Sequence, residues 1–146
     1  MLMSVKKWVT KMFMGEFKHN IDAKGRLIIP SKLREQCGSS VIVTRGFDGC
    51  LALYTQEGWN DYYQKLQMLP KTKKDARNFV RIITSRASEC EFDKLGRINI
   101  PSVLRVEGKL EKECIIVGVG DHVEIWNESL WQDYYDMNKD NFDEIS

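Results

Sequence analysis

Metal-ligand spacing is missing from this chain of 146 residues. Its four cysteines, Cys37, Cys50, Cys90 and Cys114, form no C-x-x-C pair, and His19 and His122 stand in no ligand pattern with them. That excludes the common zinc folds. Each cysteine is flanked by apolar or turn residues and reads as a small buried hydrophobe in a reducing compartment. Neither histidine has a paired nucleophile motif, and G-x-S-x-G is absent, so no enzyme activity is expected. Asp22 and Asp93 would be kept ionised by adjacent arginines, which suits anchoring better than acid–base work. His122 lies beside a hairpin turn and reads as ordinary surface. The G-V-G at 118–120 follows one strand pattern and precedes another, so it reads as a hairpin and not as a nucleotide loop. No apolar run approaches a membrane span. The first residues, MLMSVKKWVTKMFMGEF, are interrupted by Lys6, Lys7 and Lys11 and make a poor signal peptide. These absences predict a cytoplasmic protein with no cofactor, no metal and no small-molecule substrate.

An excess of one charge is missing as well: 22 basic residues face 21 acidic ones. The distribution says more than the sum. Residues 18–45 carry six bases (Lys18, Lys24, Arg26, Lys32, Arg34, Arg45) against two acids, a net of +4. Residues 71–77 come to +3, and residues 121–146 come to −7. Such a chain can present one positive face, although the same charges would also serve simply to solvate the surface.

What is present, above all, is a repeat. D-A-K-G-R-L-I-I-P-S-K-L-R from Asp22 is answered by D-K-L-G-R-I-N-I-P-S-V-L-R from Asp93. The likeness continues downstream. Leu53-Tyr54 is answered by Ile125-Trp126, and W-N-D-Y-Y at 59–63 by W-Q-D-Y-Y at 131–135. The chain is a tandem duplication.

Each copy reads as β-β-α-β-β-α. A short strand (Glu16–Ile21; Cys90–Phe92) enters a tight turn. A second strand (Arg26–Ile29; Arg97–Ile100) stops at Pro30 or Pro101. Ser31 and Ser102 sit where an N-cap would, ahead of a short helix ended by Gly38 or Gly108. Two more strands follow: Val41–Thr44 and Leu51–Tyr54, then Cys114–Val119 and His122–Trp126. Between the copies, Thr72 and Asp75 fit a capping box. Ala76, Phe79, Val80 and Ile83 then mark one helical face. The fold class expected is α+β, mainly β. The divisions expected are an N-terminal extension at 1–11, a first module at 16–58 and a helical connector at 59–86. A second module follows at 87–130, then a C-terminal helix and acidic tail at 131–146. A copy of about fifty residues is marginal for a private core, so the copies should share one with each other or with another chain.

The repeated turn D-x-x-G-R is the candidate site. Its aspartate can accept backbone N–H groups, and Gly25 or Gly96 supplies the left-handed position. Asp22–Arg26 and Asp93–Arg97 can then be turn-stabilising ion pairs, which contribute little when exposed. They can equally be devices that aim a guanidinium fork at phosphate or at a guanine edge. Physics alone leaves both readings open.

Three stretches carry a resemblance: M-F-M-G-E-F-K-H-N-I-D-A-K-G-R-L-I-I-P-S-K-L-R-E at 12–35, L-P-K-T-K-K-D-A-R at 69–77, and E-C-E-F-D-K-L-G-R-I-N-I-P at 89–101. They resemble the MraZ family of bacterial transcription regulators, from Met12 nearly to the end. Family members usually begin at the methionine matching Met12, so residues 1–11 look like an extension. The resemblance implies two modules of the AbrB/SpoVT type in a double-split, swapped-hairpin β-barrel. It implies a ring-shaped homo-oligomer, nucleoid association, and double-stranded DNA as partner. The DNA would be repeated promoter boxes upstream of a cell-division and cell-wall gene cluster, its own gene included, with repression the expected outcome. Its DNA contacts would be Arg26 and Arg97, held by Asp22 and Asp93.

Lysines such as Lys24 and Lys32 would add the salt-sensitive phosphate contacts. A ring would gain affinity for tandem boxes through effective concentration. The basic run at 18–45, and Lys24 where the second turn has Leu95, lead to the expectation that Arg26 matters more than Arg97. The alternative is an antitoxin-like protein-interaction module built on the same barrel. Against it, Trp59, Tyr62, Trp131 and Tyr134 are expected to pack on their own barrels or on neighbouring subunits.

Overall fold

The computed structural model describes residues 12–145, so the expected extension at 1–11 lies outside the described residues. The strands are β1 (Phe13–Asn20), β2 (Arg26–Ile28), β3 (Ser40–Arg45), β4 (Leu51–Thr55), β5 (Ser88–Glu91), β6 (Arg97–Asn99), β7 (Glu113–Gly120) and β8 (Val123–Asn127). The helices are α1 (Ser31–Arg34), α2 (Gln56–Gln67), α3 (Lys74–Arg86), α4 (Ser102–Glu107), α5 (Glu128–Lys139) and α6 (Phe142–Ile145). The fold is α+β, mainly antiparallel sheet with short helices. No helix among the described residues is long and apolar enough to cross a membrane.

The two copies do not fold side by side. The main sheet runs β1-β7-β8-β4-β3-β5. Its outer strands are exchanged. β1 of the first copy pairs with β7 of the second, from Phe13 opposite Gly120 to Asn20 opposite Glu113. β5 of the second copy pairs with β3 of the first, from Ser40 opposite Glu91 to Val43 opposite Ser88. The centre is joined where Leu51 of β4 faces Ile125 of β8. A separate ribbon pairs β2 with β6, Leu27 facing Ile98.

One core follows from this exchange. Leu27, Ile29, Leu33, Leu51 and Leu53 pack in a single buried cluster with Ile98, Ile100, Leu104, Ile116 and Ile125. The expected sharing between copies is therefore what the chain does, and neither copy has a private core. Fully burying each such side chain contributes about 1.5–3 kcal/mol. The opposite face of the sheet carries a second cluster of Cys50, Ile115, Val117 and Trp126, covered by Leu130 and Trp131. The repeated aromatics pack on their own sheet. Tyr62 stacks on Tyr54 at 5.1 Å and Trp59 lies 6.0 Å from it, while Trp131 and Tyr134 lie 5.3 and 5.0 Å from Trp126.

The expected helix starts need correction. Ser31 and Ser102 are the first helical residues, and Pro30 and Pro101 occupy the cap position without any side-chain bond. Proline suits that place because its carbonyl still accepts: Pro30 O takes the N–H groups of Leu33 and Arg34. The first short helix also stops early, at Arg34, four residues before Gly38. The Thr72–Asp75 box does not form. Lys73 is the cap of α3, and its N–H goes to Pro70 O instead. The expected face of α3 does form, with Ile83 buried and Phe79 stacked on Phe47 at 5.9 Å. Side-chain caps occur at Thr55, which accepts from Gly58 N at 2.9 Å, and at its repeat counterpart Asn127, which accepts from Leu130 N at 3.1 Å.

Candidate nucleic-acid interface

The two D-x-x-G-R turns have the same construction. In the first, Asp22 Oδ1 accepts the N–H groups of Lys24 (3.0 Å) and Arg26 (2.8 Å), and Oδ2 accepts Arg26 Nε at 2.7 Å. In the second, Asp93 Oδ1 accepts from Leu95 and Arg97 at 2.9 Å each, and Oδ2 accepts Arg97 Nε at 2.7 Å. Gly25 (φ 88°) and Gly96 (φ 77°) take the left-handed position, where a side chain would be strained. The backbone N–H of Arg26 first, and its guanidinium after it, hold the Asp22 carboxyl below its ordinary value of 3.8, outweighing the opposing effect of burial. Asp93 is lowered in the same way by Arg97.

Both aspartates grip only Nε. Among the described residues, no hydrogen bond or ion pair holds the terminal Nη groups of either arginine. Each guanidinium is thus fixed in direction by its turn and keeps its outer fork for something else.

The ribbon brings the two forks together. Leu27 and Ile98 are fully buried on its inner face. By strand alternation, Arg26, Ile28, Arg97 and Asn99 share the outer face. Arg26 lies opposite Asn99 and Arg97 opposite Ile28, so the arginines are diagonal neighbours, roughly 7–8 Å apart in such a pair. Among the expected contact residues, Lys24 is exposed at the tip of the first turn. Lys32 is exposed on α1.

Lys32 does not sit with Arg26, however. Ile29 N–H donates to Gly96 O at 3.1 Å, which seats α1 beside the second turn. Ile100 N–H donates to Gly25 O at 2.8 Å, which seats α4 beside the first. The exchange redistributes charge. The first turn with α4 has Lys24, Arg26 and Arg105 against Asp22 and Glu107, a net of +1. The second turn with α1 has Lys94, Arg97, Lys32 and Arg34 against Asp93, a net of +3. The concentration of charge at 18–45 therefore gives Arg26 no local advantage. What still separates the turns is Lys24 against Leu95, both exposed.

The family model described as "MraZ protein, putative antitoxin-like" matches the chain twice, over residues 12–82 and 83–146. The chain belongs to the MraZ family. It is 59% identical over 135 residues to the "Transcriptional regulator MraZ" of Ligilactobacillus salivarius (strain UCC118), covering 92% of this chain and 94% of that protein. It is 56% identical to the protein of the same name from Limosilactobacillus reuteri (strain DSM 20016), covering 92% and 95%. With that of Pediococcus pentosaceus the identity is 51%, over 92% and 94%. The two matches to the MraZ model divide the chain inside α3, between the repeats found in the sequence.

Several residues at this MraZ site do not stand out in the sequence. Ile28 and Asn99 share the outer face of the ribbon, which period-two alternation reveals only once β2 is paired with β6. Arg34 and Arg105 recur at the repeat offset, a visible signal that by itself carries no role. His122 also needs correcting. It is not ordinary surface: its side chain is 22% exposed and stacks on Tyr54 at 5.0 Å. Asp121 Oδ1 lies 2.7 Å from its Nδ1, and Glu124 lies 3.8 Å from its Nε2.

Proposed function

We propose that this chain is a sequence-specific DNA-binding transcription regulator. The observation that carries the reading is the pair of Asp-held guanidinium forks on one outer face of a two-stranded ribbon. The major groove of DNA admits such a ribbon, and an arginine fork matches the two acceptors of guanine. Arg26 and Arg97, oriented by Asp22 and Asp93, read base edges; Lys24 and Lys32 contact phosphates. The name of the relatives supports the same reading.

In its finer form, the exchanged outer strands make a swapped-hairpin barrel from modules at 16–58 and 87–130. Copies of the chain assemble into a ring that binds tandem promoter boxes from the cytoplasm, in association with the nucleoid. The target is a cell-division and cell-wall gene cluster that includes the chain's own gene, and the effect is repression. The antitoxin-like reading takes second place, because the aromatics it would offer to a partner are engaged on Tyr54 and Trp126.

Footprinting the full chain on DNA upstream of its gene tests this. Regularly spaced protected boxes are expected. Protection should weaken as salt rises, because phosphate contacts release counterions. No protected sequence at any salt concentration would overturn the reading.

A further inference from the structure

Each arginine turn is roofed by an arginine from the other copy. Arg105 Nε donates to Ile100 O at 3.0 Å, and Ile100 N–H in turn binds Gly25 O at 2.8 Å. The Arg105 guanidinium lies close against Gly25: a Cβ there would come within 2.7 Å of Nε and 2.8 Å of Cζ. Arg34 does the same at the other end. Its Nη1 donates to Ile29 O at 2.7 Å, Ile29 N–H binds Gly96 O at 3.1 Å, and a Cβ on Gly96 would come within 2.5 Å of its Cζ. A cleft of about 620 Å³ runs along the first of these joints, lined by Asp22, Ala23, Ser102, Arg105 and Val106 among others.

We propose that the two DNA-reading units are chimaeric: Arg105 positions the turn that carries Arg26, and Arg34 positions the turn that carries Arg97. This rests on the DNA reading above. The physical reason is that Asp22 fixes Arg26 relative to its own turn only. The glycine at the turn's centre is pinned from outside, by a guanidinium against its α-carbon and a hydrogen bond to its carbonyl. Both come from the other copy. Without the roofing arginine the turn opens more readily, its own hydrogen bonds to the aspartate included, and its fork loses its aim. Neither Arg34 nor Arg105 needs to touch DNA for this.

The test is a set of double-mutant cycles in the full chain, using a duplex of the sequence that the wild type protects. Arg105→Met should weaken binding about fivefold in the wild-type background and in Arg97→Ala, and have almost no further effect in Arg26→Ala. Arg34→Met should show the reverse, losing its effect in Arg97→Ala and keeping it in Arg26→Ala. Arg105→Lys and Arg34→Lys, which retain a donor, should recover part of the loss. Couplings that follow the copy, Arg34 with Arg26 and Arg105 with Arg97, would overturn the proposal, as would four independent effects. A second readout needs no DNA. Amide exchange at Gly25 and Arg26 should speed up in Arg105→Met and stay unchanged in Arg34→Met, with the converse at Gly96 and Arg97. Exchange that accelerates only within the altered residue's own copy would defeat the idea. A wild type that prefers no duplex, with exchange behaving as stated, would sink the DNA reading and leave the positioning intact. If the methionine variants do not fold, the lysine variants must show the same cross pattern in weaker form.

Discussion

At the scale of single residues, the turns show how a short side chain can do two tasks. Asp22 caps its own turn with Oδ1 and steers Arg26 with Oδ2. The spacing of four residues makes both possible, and that much is legible in the sequence. The setting of His122 is not. It depends on Tyr54 and on a strand register that no local pattern contains. Burial disfavours its charged form, but Glu124 and Asp121 outweigh that and raise its pKa above 6.5. The sign of the consequence follows. The favourable charge interaction is present in full below the unfolded value of 6.5 and is lost as pH rises through the raised folded value. His122→Gln should therefore lower the urea midpoint more at about pH 6 than at about pH 9, measured against wild type at each pH. An equal loss at both would show that stacking on Tyr54 is its whole contribution.

At the scale of elements, the ribbon is the joint on which the rest depends. Leu27 and Ile98 face one another at its centre, both fully buried, directly beneath the face that carries the arginines. Replacing either leaves a cavity in a core that both copies share. Ile98→Ala should cost about 2–5 kcal/mol in equilibrium unfolding, with one cooperative transition for the whole chain. Two separate transitions would contradict a shared core. The strands themselves are legible in the runs at 40–45 and 113–120, because each is a near-continuous apolar stretch. The helix starts are less so. Ser31, Ser102 and Thr72 look like caps by residue type, yet prolines or backbone bonds hold those places. The side-chain caps sit at Thr55 and Asn127, the last residues of β4 and β8, where the chain leaves the sheet in extended conformation.

At the scale of the molecule, the duplication is plain in the sequence but the exchange is not. β1 and β5 each could have paired within their own copy. The choice is made by which pairing closes one core around Leu27, Leu51, Ile98 and Ile125, a property of the whole chain and not of any segment. That choice changes the site. It moves Lys32 and Arg34 beside the second turn and sets the two arginines on one face. It also places α5, which belongs to the acidic segment at 121–146, on the sheet face opposite the ribbon's core, where Leu130 and Trp131 pack. On the proposal that both forks read bases together, the decisive quantity is the ratio of affinities for the protected duplex and a scrambled one, compared between wild type, Arg26→Ala, Arg97→Ala and the double variant. Each single change should cut the ratio about tenfold or more, and the double change should abolish it, while affinity for the scrambled duplex falls only slightly. A double variant that folds normally and keeps the wild-type ratio would contradict the account.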